Sequence, residues 1–242
     1  MALDLELKQG IQAVLAFAIF AAAGRTAWVL YERHAESTRQ QQATAPQPLN
    51  PDYYVTPKKL YPYDLKSAKQ LTQQPVWVKE GYRYPYFLYN PATRHADFAQ
   101  EAGRLLPIQK LEIKDVVTDT APDSGRVKQI MALFDQDGKR YAVQIGTADG
   151  ADYKFYSDAM FYVEDPRQLY KHWAPDVWDS ITKHEIKTGM NELQADFAVG
   201  MGTPDRQDDP AWKTVHYPNG GKPLTVTFHD GKATEIKEGK AS

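Results

Sequence analysis

The chain has 242 residues, with 29 basic and 31 acidic side chains and a formal net charge of −2, which excludes the broad basic footprint of a nucleic-acid-binding protein. Hydrophobic residues make up 42% and aromatic residues 12%, enough for a packed core and unlike a disordered chain. Cysteine is absent, so disulfides, thiolate zinc sites, thiol nucleophiles and a lipid-modified amino-terminal cysteine are excluded.

Residues 1–10 form a short tail. From Ile11 to Tyr31 the chain reads IQAVLAFAIFAAAGRTAWVLY, with Arg25 as its only charge. A helix of that length matches the hydrocarbon thickness of a bilayer, so residues 11–31 are expected to span the membrane and contact lipid. Phe17 and Phe20 would face the acyl chains. Arg25 would reach toward the headgroups, and Trp28 and Tyr31 stand where an aromatic belt lies. The competing reading is a cleaved signal peptide with Ala21-Ala22-Ala23 as its processing site. The leading MALDLELKQG is more acidic than basic, which favours retention. Lys8 precedes the segment while Arg33 and Arg39 follow it, a balance that points the large domain toward the cytoplasm.

Residues 32–75 read as an extended linker, rich in Gln, Ala and Pro, with a short helix predicted at Asp64–Gln73. Residues 76–164 read as a β-rich domain of about five antiparallel strands. Its segments are Val76–Tyr89, Leu106–Val117, Val127–Phe134, Arg140–Ile145 and Tyr153–Val163, with a hairpin turn at residues 135–139. Trp77, Tyr82, Tyr84, Tyr86 and Tyr89 alternate along the first segment. A sheet buries one side of such a pattern, so the outward rings are candidate partner-contact residues.

Residues 165–242 change period. Pro166–Trp173 is predicted as a helix capped by Asp165, and Val177–Glu185 as a second. Asn191 with Gln194 makes a capping-box pattern for a third, with Leu193, Phe197 and Ala198 as its apolar stripe and Gly200, Gly202 and Pro204 as its stop. Trp212–Tyr217, Leu224–Phe228 and Ala233–Lys237 follow as strands, separated by Pro218-Asn219-Gly220-Gly221 and His229-Asp230-Gly231-Lys232 turns. The expected class is α+β: an amino-terminal transmembrane helix, a small antiparallel β domain, then a helix pair packed on a three-stranded meander.

The string Gly189-Met190-Asn191-Glu192-Leu193-Gln194, followed by Val199-Gly200-Met201-Gly202-Thr203-Pro204, resembles the signature of the SmpA/OmlA (BamE-like) outer-membrane assembly lipoproteins. Trp212…Tyr217 and Leu224–Lys232 resemble the closing strands of that family. The likeness covers residues 175–238 and implies a non-catalytic domain that holds envelope proteins together, on the periplasmic side of the inner membrane. Unlike that family, this chain has no cysteine to lipidate. Arg104-Leu105-Leu106-Pro107-Ile108-Gln109 resembles a string in the small β-barrel domain of photosynthetic reaction-centre H subunits, which also carry one amino-terminal membrane helix. That plan suits an accessory subunit of a membrane complex.

No catalytic or metal motif stands beside these features. The six histidines, His34, His95, His172, His184, His216 and His229, fall into no ligand spacing. Asp135-Gln136-Asp137-Gly138 begins like a calcium loop but has no closing Glu. Ser157-Asp158 and the Asp179/Ser180/His184 group lack a nucleophile-elbow pattern, and Gly200-Met201-Gly202 lacks the strand and helix of a dinucleotide loop. The expectation is a membrane-anchored scaffold or accessory protein that contacts other envelope proteins, binds no cofactor and catalyses nothing. A subunit of an energy-transducing or photosynthetic complex is the alternative, and an unrecognised enzyme the third.

Overall fold

A computed structural model describes residues 24–33, 50–122, 124–206 and 209–239. The chain divides into two units, Met1–Tyr53 and Tyr54–Ser242. In the first, Phe17, Phe20 and the greater part of the expected membrane segment lie outside the described residues. Residues 24–33 are helical (α1) and exposed, including Arg25, Trp28 and Tyr31. Among the described residues, no helix is long and apolar enough to cross a membrane.

The second unit is a mixed α/β structure with antiparallel sheets. It begins at Tyr54, so residues 54–75 belong to the folded body rather than to an extended linker. Val55, Leu60 and Leu65 tuck inward. Helix α2 (Leu65–Ala68) is closed by an Asp64–Ser67 capping box and continues as a 3₁₀ turn, Lys69–Thr72.

The expected strand Val76–Tyr89 is two strands in different sheets. Strand β1 (Val76–Val78) ends before Gly81-Tyr82, and β2 (Pro85–Asn90) follows. Tyr82 takes a left-handed φ of 64°, which breaks the pleat and ends the alternation. Leu106–Val117 is likewise broken: Ile108 takes a positive φ (53°) before β4 (Lys110–Leu111), and Glu112 separates β4 from β5 (Ile113–Asp119). Strand β3 (His95–Arg104) carries no alternating apolar pattern and was not expected. It is an edge strand, mostly exposed.

Strands β6 (Lys128–Gln136) and β7 (Lys139–Asp149) form the expected hairpin. Asp137 and Gly138 both take positive φ (50° and 73°), the geometry a tight two-residue turn demands. The segment Tyr153–Val163 is broken into β8 (Asp152–Phe155), α3 (Ser157–Met160) and β9 (Phe161–Tyr162).

Three sheets result, in the orders β4-β1-β9 and β3-β2-β7-β6-β5 (with β8 on β7), and a third in the carboxy-terminal part. The second curls until its edges meet at one end. There the Asp119 carboxylate of β5 accepts the Ala96 amide of β3 at 2.6 Å. Strand β6 is buried on both faces. Ile130, Ala132 and Phe134 enter the main core with Val76, Leu105 and Ile145, while Met131 and Leu133 join Tyr89 and Ala142 opposite.

In the carboxy-terminal part, α4 (Pro166–Leu169) is capped by Asp165 as expected. Helices α5 (Pro175–Thr182) and α6 (Glu192–Val199) follow, the latter with the reciprocal Asn191–Gln194 capping box. They share one core with the sheet β10 (Thr203–Pro204), β11 (Trp212–Tyr217), β12 (Leu224–His229) and β13 (Lys232–Glu238). Trp178, Ile181 and Phe197 pack with Val215, Val226 and Phe228. The sheet has four strands, not three, because Thr203-Pro204 pairs with His216 and Val215. Trp77 and Ile108 from the β-rich part pack against this same core.

Candidate functional site

The turn between β1 and β2 places Tyr82 against the carboxy-terminal part. Gly81 lies so close to Pro107 that a Cβ there would stand 2.2 Å from the proline ring. The strained Tyr82 backbone is held by its amide donating to the Leu105 carbonyl at 2.6 Å. Leu105 in turn donates to the Tyr84 carbonyl at 3.0 Å. Two glycines flank the Tyr82 ring. A Cβ on Gly200 would meet the Gly81 carbonyl at 2.8 Å and the ring at 3.3 Å, and one on Gly220 would meet the ring at 2.7 Å. Both glycines take positive φ (82° and 60°), so turn geometry and the approach of the ring each require glycine.

Around this ring runs a cleft of about 380 Å³ lined by Arg83, Arg104, Gly200, Met201 and Asn219. It continues along Pro218 and Gly221 as a second hollow of about 490 Å³. Met201 is 51% exposed at its rim. Arg83 pairs with Glu80 at 2.7 Å, and Arg104 faces Glu101 through Nε and Nη2, both at 3.3 Å. The guanidinium charges are thus largely compensated. Burial raises the Tyr82 phenol above its ordinary pKa, so it stays a neutral donor and acceptor. The cleft lining thus offers a phenol, a thioether, backbone groups and paired guanidiniums rather than an uncompensated charge.

Beneath the Gly200–Gly202 loop lies Asp196, whose main-chain carbonyl accepts the Gly200 amide at 2.9 Å. Its Oδ1 and the Tyr217 hydroxyl are both buried without a hydrogen-bond partner among the described residues. Desolvation, reinforced by Glu192, pushes the Asp196 carboxyl up to about 7.

The other aromatic candidates serve internal packing. Tyr86 stands edge-on to Phe134 and Tyr141 at 5.5 and 5.1 Å, and Tyr89 is buried at 6% exposure. Tyr84 is half-buried, and desolvation, reinforced by Glu80 beside it, raises its phenol to about 12. Trp77 lies under the Lys110 ammonium at 5.9 Å. None of these five residues, Tyr82 included, is fully exposed. The two-sided burial of the sheet takes up rings that a simple pleat would have turned outward.

The remaining polar candidates resolve as local structure. Ser180 Oγ donates to the Asp176 carbonyl at 2.8 Å, and His184 Nδ1 donates to the Ala198 carbonyl at 3.0 Å, so the two do not face each other. Asp135 binds Arg140 across the hairpin at 2.8 and 3.1 Å. Two arrangements escaped sequence reasoning because their members are distant in the chain. His95 Nδ1 sits 2.7 Å from buried Asp119. On the outer face of the carboxy-terminal sheet, His216 bridges Thr225 Oγ1 and Asp205 Oδ1, both at 3.0 Å. Among the described residues, no group of three or more His, Cys, Asp or Glu side chains is placed to hold a metal ion.

Comparison with family models, curated proteins and solved structures finds no match to this chain.

Proposed function

We propose that this chain is a membrane-anchored accessory protein of the cell envelope, which seats a partner protein in the cleft around Tyr82. The observation that carries this reading is a convergence. Tyr82 of the aromatic segment, Gly200–Thr203 of the BamE-like string and Arg104 of the string resembling reaction-centre H subunits line one cleft. A bulky residue at positive φ costs of order 1–3 kcal/mol, and such strain concentrates at clamps and contact sites. Anchoring is supported by the apolar run 11–31 and by the exposed helical stretch 24–33, with Trp28 64% and Tyr31 72% exposed. The partner would be a subunit of an envelope assembly or of an energy-transducing membrane complex, and the cleft serves either.

The test is extraction of the full chain from its native membranes in mild detergent, with mass spectrometry of what co-purifies. Met201→Arg and Arg104→Glu should each release a partner that the wild type retains, while Asp205→Asn should retain it. Retention by both cleft variants would remove the basis for this function.

A further inference from the structure

A strap of chain at the start of the folded unit presents a surface of a different kind. From Tyr54 to Asp64 its apolar residues point inward, Val55 to the carboxy-terminal core and Leu60 to the main core. Its middle is pinned at Lys58, whose amide donates to Glu164 at 2.8 Å and whose ammonium lies 3.3 Å from the same carboxylate. Pro57 and Pro62 keep the chain extended. What remains outward is aromatic and basic. Tyr54, Tyr61 and Tyr63 are 69%, 67% and 77% exposed, and Lys58, Lys59 and Lys66 are exposed with them. Residues 54–69 contain four lysines against one aspartate; Lys58 pairs with Glu164 and Lys69 with Asp115 at 3.0 Å, so Lys59 and Lys66 carry the outward positive charge.

Phenols interleaved with lysines match the headgroup layer of a bilayer. The ring body enters the acyl boundary, and the hydroxyl and ammonium groups stay among the phosphates. A protein partner would have to set carboxylates over Lys59 and Lys66, whereas an anionic leaflet offers compensating charge everywhere. We propose that the strap docks on the surface of an anionic bilayer and so orients the folded unit above it. This rests on the reading of residues 11–31 as an anchor. The chain between that segment and the strap can span no more than roughly 80 Å. Confinement of that kind gives an effective concentration of order mM, so a weak surface suffices.

The cysteine-free chain allows single labels. Full-length Thr56→Cys, Tyr63→Cys, Lys154→Cys and Ala18→Cys variants carrying a nitroxide would be reconstituted in phosphatidylcholine vesicles with and without phosphatidylglycerol. Electron paramagnetic resonance then reads accessibility to oxygen and to a water-soluble nickel chelate. With anionic lipid, labels at 56 and 63 should be about threefold less accessible to nickel than the label at 154, and more accessible to oxygen. That difference should vanish without phosphatidylglycerol, and equally when Lys58, Lys59 and Lys66 are replaced by Gln with the thermal midpoint unchanged. Labels at 56 and 63 as wet as that at 154, with the label at 18 in hydrocarbon, would overturn docking while leaving the anchor intact. A wet label at 18 would remove the anchor and docking together. Exclusion of both reagents at 56 and 63 would mean that protein covers the strap, which also overturns the proposal.

Discussion

The Asp119 carboxylate at the end of β5 accepts the amide of Ala96 at the start of β3, at 2.6 Å, although these strands are opposite edges of one sheet. The same carboxylate accepts the Thr120 amide at 2.7 Å and meets His95 Nδ1 at 2.7 Å. One buried side chain therefore closes the curled sheet at that end.

Asp119→Ala leaves the buried Ala96 amide unsatisfied, at a cost of about 1–3 kcal/mol, while the amide of exposed Thr120 turns to water. A fall of about 1–3 kcal/mol in unfolding free energy is expected by urea titration. An unchanged midpoint would show that the edges are held by other contacts.

Asp196 should make stability depend on pH. Its carboxyl is raised from 3.8 to about 7, first by desolvation and then by Glu192. The folded state therefore binds this proton more tightly than the unfolded state. The sign follows: stability from this group is fully present below about pH 4, declines as pH rises toward 7, and is flat above. The loss across that window is about 4 kcal/mol at most. Asp196→Asn should flatten the profile between pH 4 and 7 and stabilise the protein at pH 8. An unaltered slope in the variant would assign the dependence to another group.

Gly220 and Tyr82 should be energetically coupled. A Cβ at Gly220 would fall 2.7 Å from the Tyr82 ring, on a backbone already at φ 60°. Gly220→Ala is expected to cost about 2 kcal/mol in the native background. In a Tyr82→Gly background the ring contact is gone and only the backbone strain remains, so the cost should fall by about half. Additive costs in that double-mutant cycle would mean the ring does not press on the turn.

These relationships mark the boundary of what could be read from the chain. The capping box at Asn191–Gln194, the Asp137-Gly138 turn and the alternating Leu224–Phe228 strand were legible because each depends on neighbours in sequence. Strand β3 was not, since an exposed edge strand needs no apolar alternation. Neither were the breaks at Tyr82 and Ile108, where non-glycine residues adopt positive φ under long-range restraint. The aromatic run 76–89 was legible as β-forming, but which rings face out depends on sheets that its sequence does not specify. The cleft brings together residues more than a hundred positions apart. Tyr82, Arg104, the Val199–Pro204 string and the Pro218–Gly221 turn each stood out separately in the sequence, but nothing local showed that they meet.

The carboxy-terminal core offers a further check. Phe228 is 2% exposed and packs in one cluster with Phe197 and Val226. Phe228→Ala should cost about 3–5 kcal/mol, read from chemical unfolding of the full chain. A loss well under 1 kcal/mol would be inconsistent with helices α5 and α6 sharing a core with this sheet.

Site-specific crosslinking at the rim of the Tyr82 cleft tests the proposed function most directly. A photoreactive phenylalanine analogue at Met201, which is 51% exposed, would be activated in intact native membranes, with the same group at Lys154 as reference. The expected result is one discrete protein adduct at 201, joined at a reproducible peptide of the partner, absent at 154 and abolished by Arg104→Glu. The contradicting result is no adduct at 201, or the same diffuse products at both positions.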